Sequence, residues 1–189
     1  MSILFTSDLH LGHKKILTTR PQFKTIEEMN NHIIEKWNAK VNDTDEVYIL
    51  GDFSFRSEYG AKHYLDKMKG IKHLIVGNHD FRWMKNIILA DYFKTVENMT
   101  FLNLGNVSLT LCHYPLMEWP RSRYVENGNS YLIHGHIHNN QESETFKFIK
   151  ENLPHALNCG VDVNNYEPCT FEELLENNKK IYGRLCDSV

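Results

Sequence analysis

The stretch Ser2-Ile3-Leu4-Phe5-Thr6-Ser7-Asp8-Leu9-His10 passes from a short apolar run straight into two side chains that can hold a metal. Ile3–Thr6 is too short for a stable helix and rich in strand-forming types, so it reads as a buried strand. The same succession recurs four more times. Glu46–Leu50 leads to Gly51-Asp52, and His73–Val76 leads to Gly77-Asn78-His79-Asp80. Val107–Cys112 leads to His113, and Tyr131–His134 leads to Gly135-His136-Ile137-His138. Ligands of α/β sheets bind at the carboxyl ends of strands, where all five clusters would fall.

Helical patterns lie between these runs. Thr25-Ile26-Glu27-Glu28 predicts a capping box, Thr25 reaching forward and Glu28 back. Ile26, Met29, Ile33, Trp37 and Val41 follow at helical spacing as one apolar stripe. Thr170-Phe171-Glu172-Glu173 repeats the start signal, with Phe171, Leu174 and Leu175 facing inward. Tyr59–Met68 and Arg82–Leu89 are weaker helical patterns. Strands alternate with helices early and dominate later, which indicates a layered α/β domain. The 189 residues fit one domain, 1–189, able to bury roughly 70% of the unfolded surface.

Composition excludes several classes. A net charge of -3 without a Lys/Arg block argues against a dedicated nucleic-acid surface. No run approaches the ~18 apolar residues of a membrane span, and Ser2–Ser7 is too short for a signal core. Cys112, Cys159, Cys169 and Cys186 are scattered without a CxxC pair, as expected of free thiols in a reducing cytoplasm.

In extended backbone Asp8 and His10 would leave on one face, as would His136 and His138. Gly51, Gly77 and Gly135 stand where the chain must turn close to the site. Carboxylate, imidazole and amide together suit Mn²⁺, Fe²⁺, Ni²⁺ or Zn²⁺, with Mn²⁺ favoured, and the lack of thiolate argues against structural zinc. Seven ligands exceed one open site, whereas two ions about 3.5–4 Å apart sharing a carboxylate would use them all.

In kind and order, Asp8-x-His10, Gly51-Asp52, Gly77-Asn78-His79-Asp80, His113 and Gly135-His136-x-His138 resemble the calcineurin-like metallophosphoesterases. The resemblance implies an α/β four-layer sandwich, two mixed β-sheets flanked by α-helices, with both metals at one edge. By motif, Asp8, His10 and His138 would hold one ion, Asn78, His113 and His136 the other, and Asp52 would bridge. His79, oriented by Asp80, would protonate the leaving group or stabilise its charge. The implied activity is hydrolysis of a phosphate ester by a metal-bound hydroxide.

Asp52 continues as Phe53-Ser54-Phe55-Arg56, and the asparagine motif ends in Asp80 rather than Glu. The chain is therefore more similar to small bacterial and phage phosphodiesterases than to the Ser/Thr phosphatases. A nucleotide-like phosphodiester is the expected substrate. A phosphomonoester on the same site is the alternative, and a non-catalytic interaction scaffold is disfavoured by the intact ligand set. His13, Arg20, Arg82 with Trp83, and Arg121 with Arg123 and Tyr124 on the long Tyr114–Asn129 loop are the candidate substrate contacts. His32, His63, His73, His134 and His155 read as structural, and Asp162 as a turn or capping carboxylate.

Overall fold

The computed structural model describes residues 1–123 and 129–183. Tyr124 and Cys186 fall outside them. Strands β1 (Ile3–Thr6), β2 (Glu46–Ile49), β3 (Ile71–Ile75) and β4 (Phe93–Glu97) form a sheet in that order, all parallel. An antiparallel bridge between Phe5 and Cys169 extends its β1 edge. In the second sheet β5 (Met99–Leu104) runs antiparallel to β6 (Val107–Cys112). Then β7 (Ser130–His134) and β8 (Ala156–Asn158) continue parallel.

Alternation along the strands builds the layers. Phe5, Tyr48, Leu50 and Ile75 meet Leu109, Leu111, Tyr131, Ile133 and Leu157 between the sheets. The opposite parity, Leu4, Val47, Ile49 and Leu74, faces Met29, Ile33 and Trp37 of α1 (Ile26–Lys40). Leu132 and Ala156 on the far side face Phe146 and Ile149 of α3 (Glu144–Asn152). The result is helix, sheet, sheet, helix, with α4 (Phe171–Tyr182) adding Phe171 and Leu174 to the central core. Each fully buried Leu or Ile contributes roughly 1.5–3 kcal/mol, so the two-sided strands account for much of the fold's stability.

The helix starts differ in one detail. Thr170 and Glu173 form both bonds of a capping box. At α1, Thr25 Oγ1 accepts from Glu28 N, but the Glu28 carboxylate accepts from Lys24 N at 2.8 Å instead of Thr25 N. The helix expected over Tyr59–Met68 shortens to α2 (Lys62–Leu65), and in place of a helix over Arg82–Leu89 a 3-10 turn forms at Met84–Asn86 and a second starts at Leu89.

Candidate active site

The loops after β1, β2, β3, β6 and β7 converge on one edge. Asp8 N donates to Gly51 O at 3.1 Å and His10 N to Asp52 O at 2.9 Å, which splices the first two loops. Asp8, His10, Asp52, His136 and His138 all have left-handed φ, between 51° and 70°. Side chains rarely adopt that region, and such strain collects where geometry serves a site. The expected strand alternation of Asp8 with His10, and of His136 with His138, is therefore wrong: tight left-handed turns present these pairs. Gly135 is required by space alone, since a Cβ there would lie 1.9 Å from Ser7 Oγ and 2.6 Å from Asp8 Oδ2.

Two groups of ligand atoms form, Asp8 with His10 and His138, and Asp8 with Asp52 and His113, each within 4.8 Å. They are adjacent. Asp52 Oδ2 stands 3.6 Å from His10 Nε2 and 3.6 Å from His113 Nε2. Asn78 Oδ1 lies 3.0 Å from His113 Nε2 and 3.1 Å from His136 Nδ1. All seven residues expected from the motifs are thus brought together.

The donor chemistry fits cations. His113 Nδ1 faces the Leu50 carbonyl at 2.7 Å, which can only accept, so the proton sits on Nδ1. In the neutral ring Nε2 is then a lone pair, aimed at the oxygens of Asn78 and Asp52. Three lone pairs pointing at each other repel unless a positive charge sits among them. Both ring nitrogens of His10 are buried without a hydrogen-bond partner among the described residues, a rare condition for buried polar atoms. Burial, helped by positive charge at His138 and Arg20, lowers the His10 pKa to about 2, keeping its lone pair available. Burial also lowers His136, with His113 adding to it. Asp8 is raised by burial, against the pull of His138 and His113. For His138, burial is outweighed by a hydrogen bond from Nδ1 to Asp162 and by Asp8, so its pKa rises.

His79 lies at the mouth, one third exposed, its Nε2 3.9 Å from Asp52 Oδ2 and its ring 4.1 Å from that of Phe55. Its backbone N–H donates to Asp52 Oδ1 at 2.9 Å. The expectation that Asp80 orients the His79 ring meets a different geometry. Asp80 is fully buried and accepts from the N–H groups of Asp52, Phe53 and Gly77 and from Trp83 Nε1, at 2.8–3.0 Å. It ties the β2 and β3 loops together at the backbone. Burial pushes its carboxyl up to about 6, with the Gly77 hydrogen bond opposing.

The expected substrate contacts divide. His13 is in place, its ring 5.4 Å from His10 and 6.4 Å from His79, and it makes no capping bond. Arg20 is not available to substrate: it is fully buried, bonded to Asp162 and to the carbonyls of Asp8 and Leu9. Arg82 is exposed, but Trp83 is buried against Phe53 and Phe93, so the expected stacking ring is spent in the core. Arg121 bonds Ser108 at the start of β6, about 17 Å along the strand from His113 at ~3.3 Å per residue. Arg123 pairs with Glu118. Two groups were not counted with the site from the sequence: Arg56, given no role there, and Asp162, expected as a turn or capping carboxylate. Arg56 lies over the Phe55 ring at 5.1 Å, in the corner of His79. Asp162 receives His138 Nδ1 at 2.6 Å and is the partner of Arg20, whose charge, with the His138 bond, lowers its pKa against the effect of burial.

Comparison with known proteins agrees with this geometry. A calcineurin-like phosphoesterase superfamily domain matches residues 1–160. An uncharacterized protein of Methanocaldococcus jannaschii is 32% identical over 186 residues, covering 95% of this chain and 94% of its own. The gene 66 protein of Mycobacterium phage D29 is 29% identical, covering 85% of this chain and 88% of its own. A solved protein of unknown function from Aquifex aeolicus superposes with a TM-score of 0.70 at 26% identity, covering 92% of this chain and 97% of that one. The matched segment contains all five strand-end clusters, and the chain belongs to the calcineurin-like phosphoesterase superfamily.

Proposed function

We propose that this protein is a two-metal phosphodiesterase acting on a nucleotide-like ester. Membership of the superfamily implies metal-dependent phosphoester hydrolysis; the number of ions, their identity and the substrate are the reading offered here. One observation carries it: a single oxygen of Asp52 lies equidistant from His10 and His113, which belong to two adjacent donor groups sharing Asp8.

In this reading Asp8, His10 and His138 hold one divalent ion, Asn78, His113 and His136 the other, and Asp52 lies between. Bound divalent ions supply a water of lowered pKa and neutralise phosphate oxygens. Neither donor group includes a cysteine, which favours Mn²⁺ over a thiolate-type zinc site. His79, one third exposed at the mouth, is placed to give a proton to the departing oxygen.

The nucleotide-like part of the reading rests on a cavity beside His136 and His138 of about 690 Å³. Gln22, Asn139, Asn140, Asp162 and Tyr166 line it, and among the described residues no lysine or arginine does. Neutral amides and a phenol suit an uncharged hydrogen-bonding group such as a nucleoside; away from His136 and His138 a second phosphate would meet no lysine or arginine and would face the Asp162 carboxylate.

The test compares bis-p-nitrophenyl phosphate with p-nitrophenyl phosphate, using metal-stripped protein given Mn²⁺, beside His79→Ala. Metal-dependent diester cleavage, reduced about 10²–10⁴-fold in the variant with Mn²⁺ still bound, is the expected outcome. Preference for the monoester would replace the diesterase reading by a phosphomonoesterase. Cleavage of neither ester with any divalent ion would remove the enzymatic reading.

A further inference from the structure

The segment Asn158-Cys159-Gly160-Val161-Asp162 starts at the last residue of β8, and Asp162 lies beyond the residues matched by the family. It holds His138 twice. Asp162 Oδ2 meets His138 Nδ1 at 2.6 Å, and Asn158 Nδ2 donates to His138 O at 2.9 Å. The second bond matters because His138 is held at a φ of 51°, a conformation that histidine leaves readily unless restrained.

Both holders are themselves fixed. The Asn158 side chain also accepts from Gly160 N at 2.8 Å, and its backbone N–H donates to Asn178 Oδ1 on α4 at 2.7 Å. Asp162 receives Arg20 Nε on Oδ1 at 2.6 Å and Arg20 Nη2 on Oδ2 at 3.1 Å. The same guanidinium donates to Asp8 O at 2.6 Å and Leu9 O at 3.0 Å. A forked cation with both carboxylate oxygens in its grip keeps that carboxylate an acceptor. In the neutral His138 ring the proton must then sit on Nδ1, leaving Nε2 as the lone pair.

We propose that Asp162, anchored by buried Arg20 and assisted by Asn158, is a positioning residue that fixes the ring orientation and tautomer of His138 for a divalent cation. Arg20 joins this hold to the Asp8 loop, so two residues of one donor group are set by a single buried guanidinium. Carboxylates that back a ligating imidazole are a general device for orienting it and raising its basicity. The inference rests on the proposed cation site, though not on any activity.

The test uses the full-length chain, metal-free and ¹⁵N-labelled, with the His138 ring signals identified by loss in His138→Gln. At a pH where the ring is neutral, the wild-type proton is expected on Nδ1; a neutral ring protonated on Nε2 overturns the proposal before any positioning variant is made. Mn²⁺ titration by calorimetry then compares wild type with Asp162→Asn, which keeps shape and removes charge. One class of Mn²⁺ site should weaken about 10–100-fold, with the other unchanged. A variant that is folded by circular dichroism and binds Mn²⁺ as wild type does would sink the idea. If Asp162→Asn does not fold, the wild-type tautomer decides. Failure to cleave any ester would overturn the proposed function while leaving this result intact.

Discussion

At Gly135 the space for a side chain is already taken. Ser7 Oγ, which would lie 1.9 Å from an added Cβ, donates to Leu50 O at 2.6 Å and cannot withdraw without breaking a buried bond between the residues that directly follow β1 and β2. Gly135→Ala must therefore push the end of β1, and Asp8 with it. A loss of roughly 1–3 kcal/mol in urea unfolding, the usual range for overpacking, is expected together with weaker Mn²⁺ binding. Wild-type values for both would mean that the loops yield more easily than their hydrogen bonds indicate. The seven donor residues could be read from the sequence because each follows an apolar run in a residue type that strands seldom end on. The partners of Arg20, Asp80 and Asp162 could not. Whether a charged side chain in a loop turns to solvent, to backbone N–H groups or to a residue 142 positions away depends on chain paths that no local pattern encodes.

Among the elements, α4 has the most complete start. Thr170 Oγ1 accepts from Glu173 N at 3.3 Å, and the Glu173 carboxylate accepts from Thr170 N at 2.8 Å. Thr170→Ala removes one half of that exchange and should cost about 1 kcal/mol of unfolding free energy. An unchanged urea midpoint would show that solvent satisfies the exposed N–H equally well. This helix and the five strands leading to the site were legible because their apolar positions keep one period. The edge strands β4 and β5 were not. Phe93–Glu97 and Met99–Leu104 mix polar and apolar residues, and Met99 and Phe101 stand exposed on the sheet margin. Helix α3 carried a readable signal that went unused: Ser143 as a cap, then Phe146 and Ile149 three apart, both buried.

On the scale of the whole molecule, burial of His73 couples stability to pH. Its ring is stacked on Tyr48 at 4.3 Å and bonded to Thr95, and burial lowers its pKa, with Glu46 opposing and Lys94 assisting. Above about pH 6.5, the value for a free side chain, the ring is neutral in both folded and unfolded chains and its contribution is complete. As pH falls below that value the unfolded chain takes up the proton first, and stability is lost until the lower folded pKa is reached. The pH slope of the unfolding free energy below 6.5 should therefore be shallower in His73→Phe than in wild type; equal slopes would contradict the assignment.

The bond between Arg20 and Asp162 has a consequence for synthesis in the cell. A ribosome adding roughly 5–20 residues per second delivers the second partner many seconds after the first. Until then the His138 ring has no backing carboxylate and Arg20 lacks its counterion. Chains that carry Asp8 and His10 but not yet Asp162 thus lack the hold on His138, and the donor group can close only once Asp162 has been added.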